Sequence, residues 1–372
     1  MSDTLQTQIA TMASSLDLIL GDRLHCLEYR DANDTDLRHV VGPLGLKIGR
    51  KPPADVVLAD TMISRTHCLV ALKDDEIYVS DLGSTNGTFI DGERVTGVAL
   101  LPVGATLRVG NVHMKHEWRT RQEIEQSKEV DRELQRASAY VQSLLPSPSV
   151  DPPIRTDWVY QPSARLGGDA FGYGHLSGDL YVAYIIDVAG HGTGAAMHGV
   201  AVMNQLRQKS LPHTDMTQPG QVLGTLNRLF QMDEHAGLYF TVWYGVYNTV
   251  TRQMDYASGG HHPAFIVDAE RRQATPIKTR NAVIGAMPGI TYKQDSVVIP
   301  PGASLYLFSD GVYEIVDRDG VQWGLDQFVE LMMAPPASAG GSEAKRLYQQ
   351  VRSRAQPGPL DDDFSLVILT VD

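Results

Sequence analysis

Cys26 and Cys68 are the only cysteines in 372 residues, which excludes a disulfide framework and makes a reducing compartment the default. No apolar run approaches the length needed to cross a bilayer, and the N-terminus carries no basic leader, with Asp3 and Asp17 flanking a mixed stretch. A cytoplasmic protein with no membrane role is therefore expected. Positive charge is also scarce: 32 Lys and Arg against 44 Asp and Glu leave a net charge of −12. That balance argues against general binding to nucleic acid or anionic lipid. What remains is the composition of a globular chain, 42% hydrophobic and 20% charged, long enough for two or three domains.

The stretch YVAYIIDVAGHGTGAAM, residues 181–197, organises the rest. Its apolar first half reads as a buried strand, and its glycines lead into a helical pattern. Asp187 arrives at the strand tip, where a carboxylate is costly unless paired. With no Lys or Arg nearby in sequence, the partner is read as a cation; the alternative is a helix-capping Asp.

Residues 1–20 form a weakly amphipathic segment with Leu5, Ile9, Met12 and Leu16 at near-helical spacing. From 21 to 117 short β-type runs are broken by Gly, Asp and Asn, the pattern of an all-β sandwich. Three loops carry polar clusters that strands alone do not need: Gly49-Arg50, then SRTH at 64–67, then STNG at 84–87. Alone, Asn86-Gly87 is a hairpin turn and Arg50 a surface charge. Together, in this order, they resemble the forkhead-associated (FHA) domain. The resemblance implies a phosphothreonine site in which Arg50 and Ser64 hold the phosphate with help from Thr85. Asn86 would bond the peptide backbone, and Arg65 would touch phosphate or peptide. A guanidinium suits such a dianion because it offers a planar fork of donors. His67 and Gly49 read as structural.

Residues 118–147 lack Gly and contain no Pro before Pro146, so a charged helical linker is expected. Val130, Leu134, Ala137, Val141 and Leu144 alternate in steps of four and three, a short coiled-coil seam. Such a seam either pairs with a second copy, giving a homodimer, or docks on a neighbouring domain. Its ending resembles the helix that precedes the catalytic domain in bacterial regulatory phosphatases.

From 152 to 372 strand-type runs return with helical stretches near 194–209 and 218–232, an α+β pattern of two hairpin-connected sheets with helices outside. Four motifs place a carboxylate at a strand end or tight turn: RLGGD ending at Asp169, DVAGHG starting at Asp187, FSDG with Asp310, and DDDFS from Asp361 to Ser365. Gathered carboxylates repel one another unless a hard divalent cation is present. Oxygen ligands without a zinc-spaced His or Cys pair suit magnesium or manganese.

These motifs, with SGGHHP at 258–263 between them, resemble the metal-dependent type 2C (PPM) protein phosphatases, and within them the bacterial SpoIIE branch. The whole chain is then multidomain: an FHA sandwich, a helical linker and an αββα PPM-type sandwich. The resemblance implies two Mn2+ or Mg2+ ions, and allows a third, weaker one, held by Asp169, Asp187, the Val188 carbonyl, Asp310 and Asp362. Three consecutive aspartates leave Asp361 and Asp363 as alternatives to Asp362. The implied reaction is hydrolysis of phosphoserine or phosphothreonine on a regulatory protein, of the anti-sigma-factor-antagonist type, by a metal-activated water. No Cys-x5-Arg loop of the tyrosine-phosphatase kind is present.

Three positions depart from the family pattern or stay open. Gly172 stands where many relatives have a second Asp. His191 either protonates the leaving group or bonds the glycine turn, and Arg165 either binds substrate phosphate or makes a surface ion pair. His261 and His262 read as turn or core-edge residues. The rival function is a catalytically inactive scaffold acting through phosphopeptide binding. A further reading has the FHA half bind a phosphothreonine of its own chain and restrain the enzyme.

Overall fold

The computed structural model describes residues 23–30, 36–58, 60–318, 320–335, 341–356 and 358–372. The amphipathic segment expected at 1–20 lies outside them. The chain divides into two compact units, Met1–Arg132 and Glu133–Asp372.

The first unit holds strands β1 (Arg23–Arg30), β2 (Asp36–Val40), β3 (Leu46–Gly49), β4 (Val56–Val57), β5 (Cys68–Lys73), β6 (Glu76–Asp81), β7 (Thr88–Ile90), β8 (Glu93–Arg94), β9 (Val98–Leu100), β10 (Thr106–Val109) and β11 (Val112–Thr120). One sheet orders them β2-β1-β11-β10-β7-β8 and the other β4-β3-β5-β6-β9. Alternation explains the packing. In β6, Ile77 and Val79 turn inward while Tyr78 and Ser80 turn out. They meet Ile48, Val70, Leu107 and Met114 in one sealed core between the sheets. Cys26 and Cys68 are both free and buried, and burial pushes their thiols up to about 11 and about 12.

The helix expected from 118 starts later, as α1 (Arg121–Leu144). Trp118, Arg119 and Thr120 instead extend β11, paired with His25, Leu24 and Arg23. A capping box then starts the helix: Thr120 N–H donates to Glu123 Oε2 at 2.7 Å, and Glu123 N–H donates to Thr120 Oγ1 at 3.1 Å. Ladder pairing carries the strand up to that cap, against the helical tendency of the local sequence.

The second unit holds β12 (Ile154–Gln161), β13 (Ala170–Ser177), β14 (Leu180–Val188), β15 (Phe240–Asn248), β16 (Gln253–Gly259), β17 (Ala264–Val267), β18 (Ala274–Ile277), β19 (Asp295–Val298), β20 (Ser304–Phe308) and β21 (Phe364–Val371). Its helices are α2 (Thr193–Arg207), α3 (Pro219–Leu229), α4 (Leu325–Met333) and α5 (Glu343–Arg354). The sheets run β13-β14-β15-β16-β19 and β12-β21-β20-β17-β18. Phe171, Ile185, Leu307 and Val367 fill the space between them. α2 and α3 cover the first sheet through Val202, Met203, Val222 and Leu226. α4 and α5 cover the second through Phe328, Met332, Leu347 and Val351. The order of layers is αββα.

Candidate active site

All four acidic motifs reach one end of this sandwich, two from each sheet. Asp169 immediately precedes β13 and Asp187 is the penultimate residue of β14; because these strands are antiparallel, both lie at the same sheet end. Asp310 follows β20 at the head of a short 3-10 turn, and Asp361, Asp362 and Asp363 immediately precede β21. β20 and β21 are antiparallel too, with Phe308 opposite Leu366. Val188, buried, closes β14 beside Asp187.

The carboxylates feel one another across the gap between the sheets. Burial, then Asp187 and Asp363, push Asp169 well above the carboxylate range, with the Ser309 and Ser365 hydroxyls working the other way. Burial, then Asp310, Asp362, Asp363 and Glu314, push Asp187 up to about 8. Asp310 is raised by burial and by Glu314, and Asp362 by burial and then by Asp310 and Asp363, against the Asp363 N–H bond and His191. Such shifts are what like charges facing a shared, partly dry space produce.

Two observations bear on a cation. Asp169 Oδ2 is buried with no hydrogen-bond partner, an orphan acceptor that a cation would satisfy. Among the described residues, no three His, Cys, Asp or Glu side chains converge into a closed ligand cage. The acidic side chains at this sheet end offer oxygen atoms alone, a donor type that fits a hard divalent ion.

The three consecutive aspartates separate by role. Asp361 and Asp362 are exposed, while Asp363 is buried and turned inward. One Asp363 oxygen accepts from Ser163 N–H at 2.8 Å and Ser163 Oγ at 3.0 Å; the other accepts from Asp169 N–H at 3.3 Å. It therefore braces the 163–169 loop, and Gly167 allows this, since a Cβ there would run into the Asp363 carboxylate and the Tyr160 hydroxyl. Asp362 stays at the rim, facing Asp310 and His191. Ser309 links the other pair of strand ends: its Oγ donates to Asp363 O at 2.9 Å and accepts from Ser365 N–H at 3.1 Å. Glu314, in the FSDGVYE run, joins the group without having been singled out by sequence. Its acidic side chain one turn past Asp310 was the available signal. Arg165 is exposed on the loop before Asp169.

Gly172 has a reason of its own. A Cβ there would run into the ring and hydroxyl of Tyr184, its partner across the β13–β14 ladder. Tyr184 in turn donates to Met203 O in α2 at 3.5 Å and stacks on Tyr244. Position 172 thus opens toward the helix layer, away from the carboxylates.

In the first unit, the three polar loops adjoin. Arg50 N–H donates to Ser64 O at 2.9 Å, Thr85 N–H donates to Ser64 Oγ at 3.1 Å, and the Ser64 and Thr85 hydroxyls lie 3.4 Å apart. Buried His67 ties these loops together: its Nδ1 accepts from Ser64 N–H at 3.1 Å and its Nε2 donates to Gly87 O at 3.1 Å. Asn86 donates to Met62 O at 2.7 Å, and Arg65 is exposed. Arg50 Nε is buried without a partner. Asp81 sets the last loop, accepting from the Ser84 and Thr88 hydroxyls at 2.6 and 2.7 Å. Burial alone would raise its pKa, but these hydroxyls and the Ser84 and Gly83 N–H groups outweigh it and hold Asp81 at about 2.

The profile of the family described as Stage II sporulation protein E (SpoIIE) matches residues 177–372. The chain belongs to the SpoIIE family. Among SpoIIE-type relatives, the phosphoserine phosphatase RsbU of Bacillus subtilis is 30% identical over 210 residues, 56% of this chain and 60% of RsbU. The phosphoserine phosphatase RsbP of the same organism is 29% identical over 187 residues, 49% of this chain and 45% of RsbP. The chain thus spans only about half the length of these relatives. The SiaA-PP2C domain of Pseudomonas aeruginosa has the same fold, with a TM-score of 0.57 at 17% identity, covering 66% of this chain and 98% of that one. An FHA-domain profile matches residues 46–110. Over 91 residues the chain is 41% identical to the FHA domain-containing protein FhaB of Mycobacterium tuberculosis, 24% of this chain and 59% of FhaB. An FHA domain therefore precedes a SpoIIE-type, PP2C-like domain. Among the described residues no helix is long and apolar enough to cross a membrane.

Two outcomes follow from this geometry. Gly172→Asp is expected to lower stability by about 2 kcal/mol or more in urea denaturation without tightening Mn2+ binding, because it overpacks Tyr184. Asp81 is held below its unfolded pKa, so its contribution is complete above about pH 4 and is lost as pH falls toward 2. In thermal melts, Asp81→Ala should destabilise the FHA unit at pH 7 and bring no further loss at pH 2.

Proposed function

We propose that this chain is a protein serine/threonine phosphatase, dependent on Mn2+ or Mg2+ and directed or regulated by phosphothreonine binding to its FHA domain. The observation that carries the reading is the convergence of Asp169, Asp187, Asp310 and Asp362 from two sheets onto one sandwich end, with Asp169 Oδ2 left unpartnered. Asp169, Asp187, the Val188 carbonyl, Asp310 and Asp362 would hold two divalent ions, whose chemistry when bound is to activate water and to neutralise charge on phosphoryl oxygens. The chain's own task is to hold these oxygens in register. Asp363 fixes the loop that presents Asp169, and Ser309 fixes the strand ends that present Asp310 and Asp362. The exposure of His191 beside Asp362, and of Arg165 on the loop before Asp169, supports reading them as groups that meet the substrate's leaving group and phosphate.

The names of RsbU and RsbP support phosphoserine on a regulatory protein as the substrate class. In the FHA domain, the buried unpartnered Arg50 Nε beside the Ser64 and Thr85 loops supports phosphate capture, with Arg65 and Asn86 flanking it. On α1, the seam residues Val130 and Ala137 are exposed and Leu134 and Val141 half-buried, which supports pairing with a second copy of the chain. The inactive-scaffold alternative rests on the absence of an acid at Gly172, a position that faces Tyr184.

The decisive experiment is Mn2+-dependent hydrolysis of para-nitrophenyl phosphate by the full chain. Asp187→Asn should lower it by at least about 100-fold with the fold intact by circular dichroism. Activity that survives this change, or its absence from the wild type, would leave the scaffold reading. Separately, Arg50→Ala should weaken binding of a phosphothreonine peptide at least about tenfold in calorimetry, with para-nitrophenyl phosphate hydrolysis unchanged.

A further inference from the structure

The metal-binding groups are shared between two sheets, so something must set the distance between the sheet ends. Among the described residues beside the carboxylates, two side chains make that crossing by hydrogen bonds. Asp363 is one, reaching from the β21 side to Asp169 N–H. His261 is the other. It lies between β16 of the first sheet and β17 of the second, and is buried at 2% exposure. Its Nδ1 is 2.7 Å from Thr241 Oγ1, and its Nε2 is 3.0 Å from Phe308 O.

The partners dictate the protonation. A carbonyl only accepts, so Nε2 carries the hydrogen; the neutral ring then accepts at Nδ1, and the Thr241 hydroxyl donates. Burial first, and then His262, keep this imidazole well below its ordinary pKa, so the neutral form that makes both bonds is the one present. Both partners adjoin the carboxylates. Thr241 sits directly opposite Asp187 in the β14–β15 ladder, and directly opposed residues share one sheet face. Phe308 is the last residue of β20, two before Asp310. His262 adds a second hold by stacking on the Phe308 ring at 4.7 Å.

We propose that His261 is a positioning residue for the metal centre, clamping the Asp187 strand end to the Asp310 strand end at the separation two cations require. The assignment rests on the phosphatase reading above. Carboxylates facing each other across the gap push the sheet ends apart, and a short, dry, two-bond bridge resists that push where a flexible contact would not. The reading of SGGHHP as turn or core-edge residues holds for burial, but it misses this bridging.

The test is calorimetric titration of Mn2+ into the full chain, for the wild type, Thr241→Val, His261→Phe and His261→Gln, with melting temperatures taken in chelator. Thr241→Val keeps shape and removes only the hydroxyl bond; His261→Phe keeps ring volume and removes both bonds; His261→Gln restores an acceptor and a donor. The expected result is a Kd for Mn2+ raised about 10- to 100-fold in Thr241→Val and His261→Phe, with Gln recovering much of the loss. Hydrolysis of para-nitrophenyl phosphate should follow as a shift in the Mn2+ concentration needed, with kcat at saturation less affected. A Thr241→Val protein that melts as the wild type does and binds Mn2+ with wild-type affinity overturns the proposal. It does so even should His261→Phe fail to fold. A wild type that binds no Mn2+ overturns the phosphatase reading itself, and the clamp with it.

Discussion

Like charges brought together by folding are the constraint on which the second unit turns. Asp169, Asp187, Asp310, Asp362 and Asp363 come from four separate stretches of chain, and each of the last four raises the pKa of at least one other of the group. A sandwich built only for stability would not concentrate them, because partly dry carboxylates cost several kcal/mol apiece when unpaired. The apolar layers carry that cost. Phe171, Ile185, Trp243, Leu307 and Val367 are sealed between or against the sheets, so the strained end rests on a rigid body.

Around that end the backbone comes unusually close to side chains. Gly167 lets the Asp363 carboxylate and Tyr160 crowd in, and Gly311 lets the 362–363 backbone lie against the turn after Asp310. Both are buried, and any larger residue would force the braces apart. The loop from Gly190 to Gly192 is different: both glycines have positive φ, 92° and 89°, which gives the chain its sharp passage from strand to helix. Tight packing fixes the carboxylates, while permissive backbone shapes the loop beside them.

Much of this was legible in the sequence, because its signals are local. The apolar run before Asp187 is β14, the small residues after it open α2, and the GR, SxxH and TNG clusters meet as adjoining loops. What stayed illegible depends on partners far away in the chain. Three consecutive aspartates look alike until β21 pairs with β20 and β12 and turns Asp363 inward. Gly172 reads as a missing acid until Tyr184 is seen to occupy its space. Trp118 to Thr120 look helical until β1 claims them. His261 looks like a turn residue because its two partners are 20 and 47 residues away.

The placement of the two thiols has a further consequence. Cys26 and Cys68 are locked in the first unit with their protons held tightly, and the half that carries the carboxylates has no cysteine. Carboxylates offer peroxide no thiolate to convert into a sulfenic acid. An oxidant that acts by attacking a thiolate therefore finds no such target in this domain.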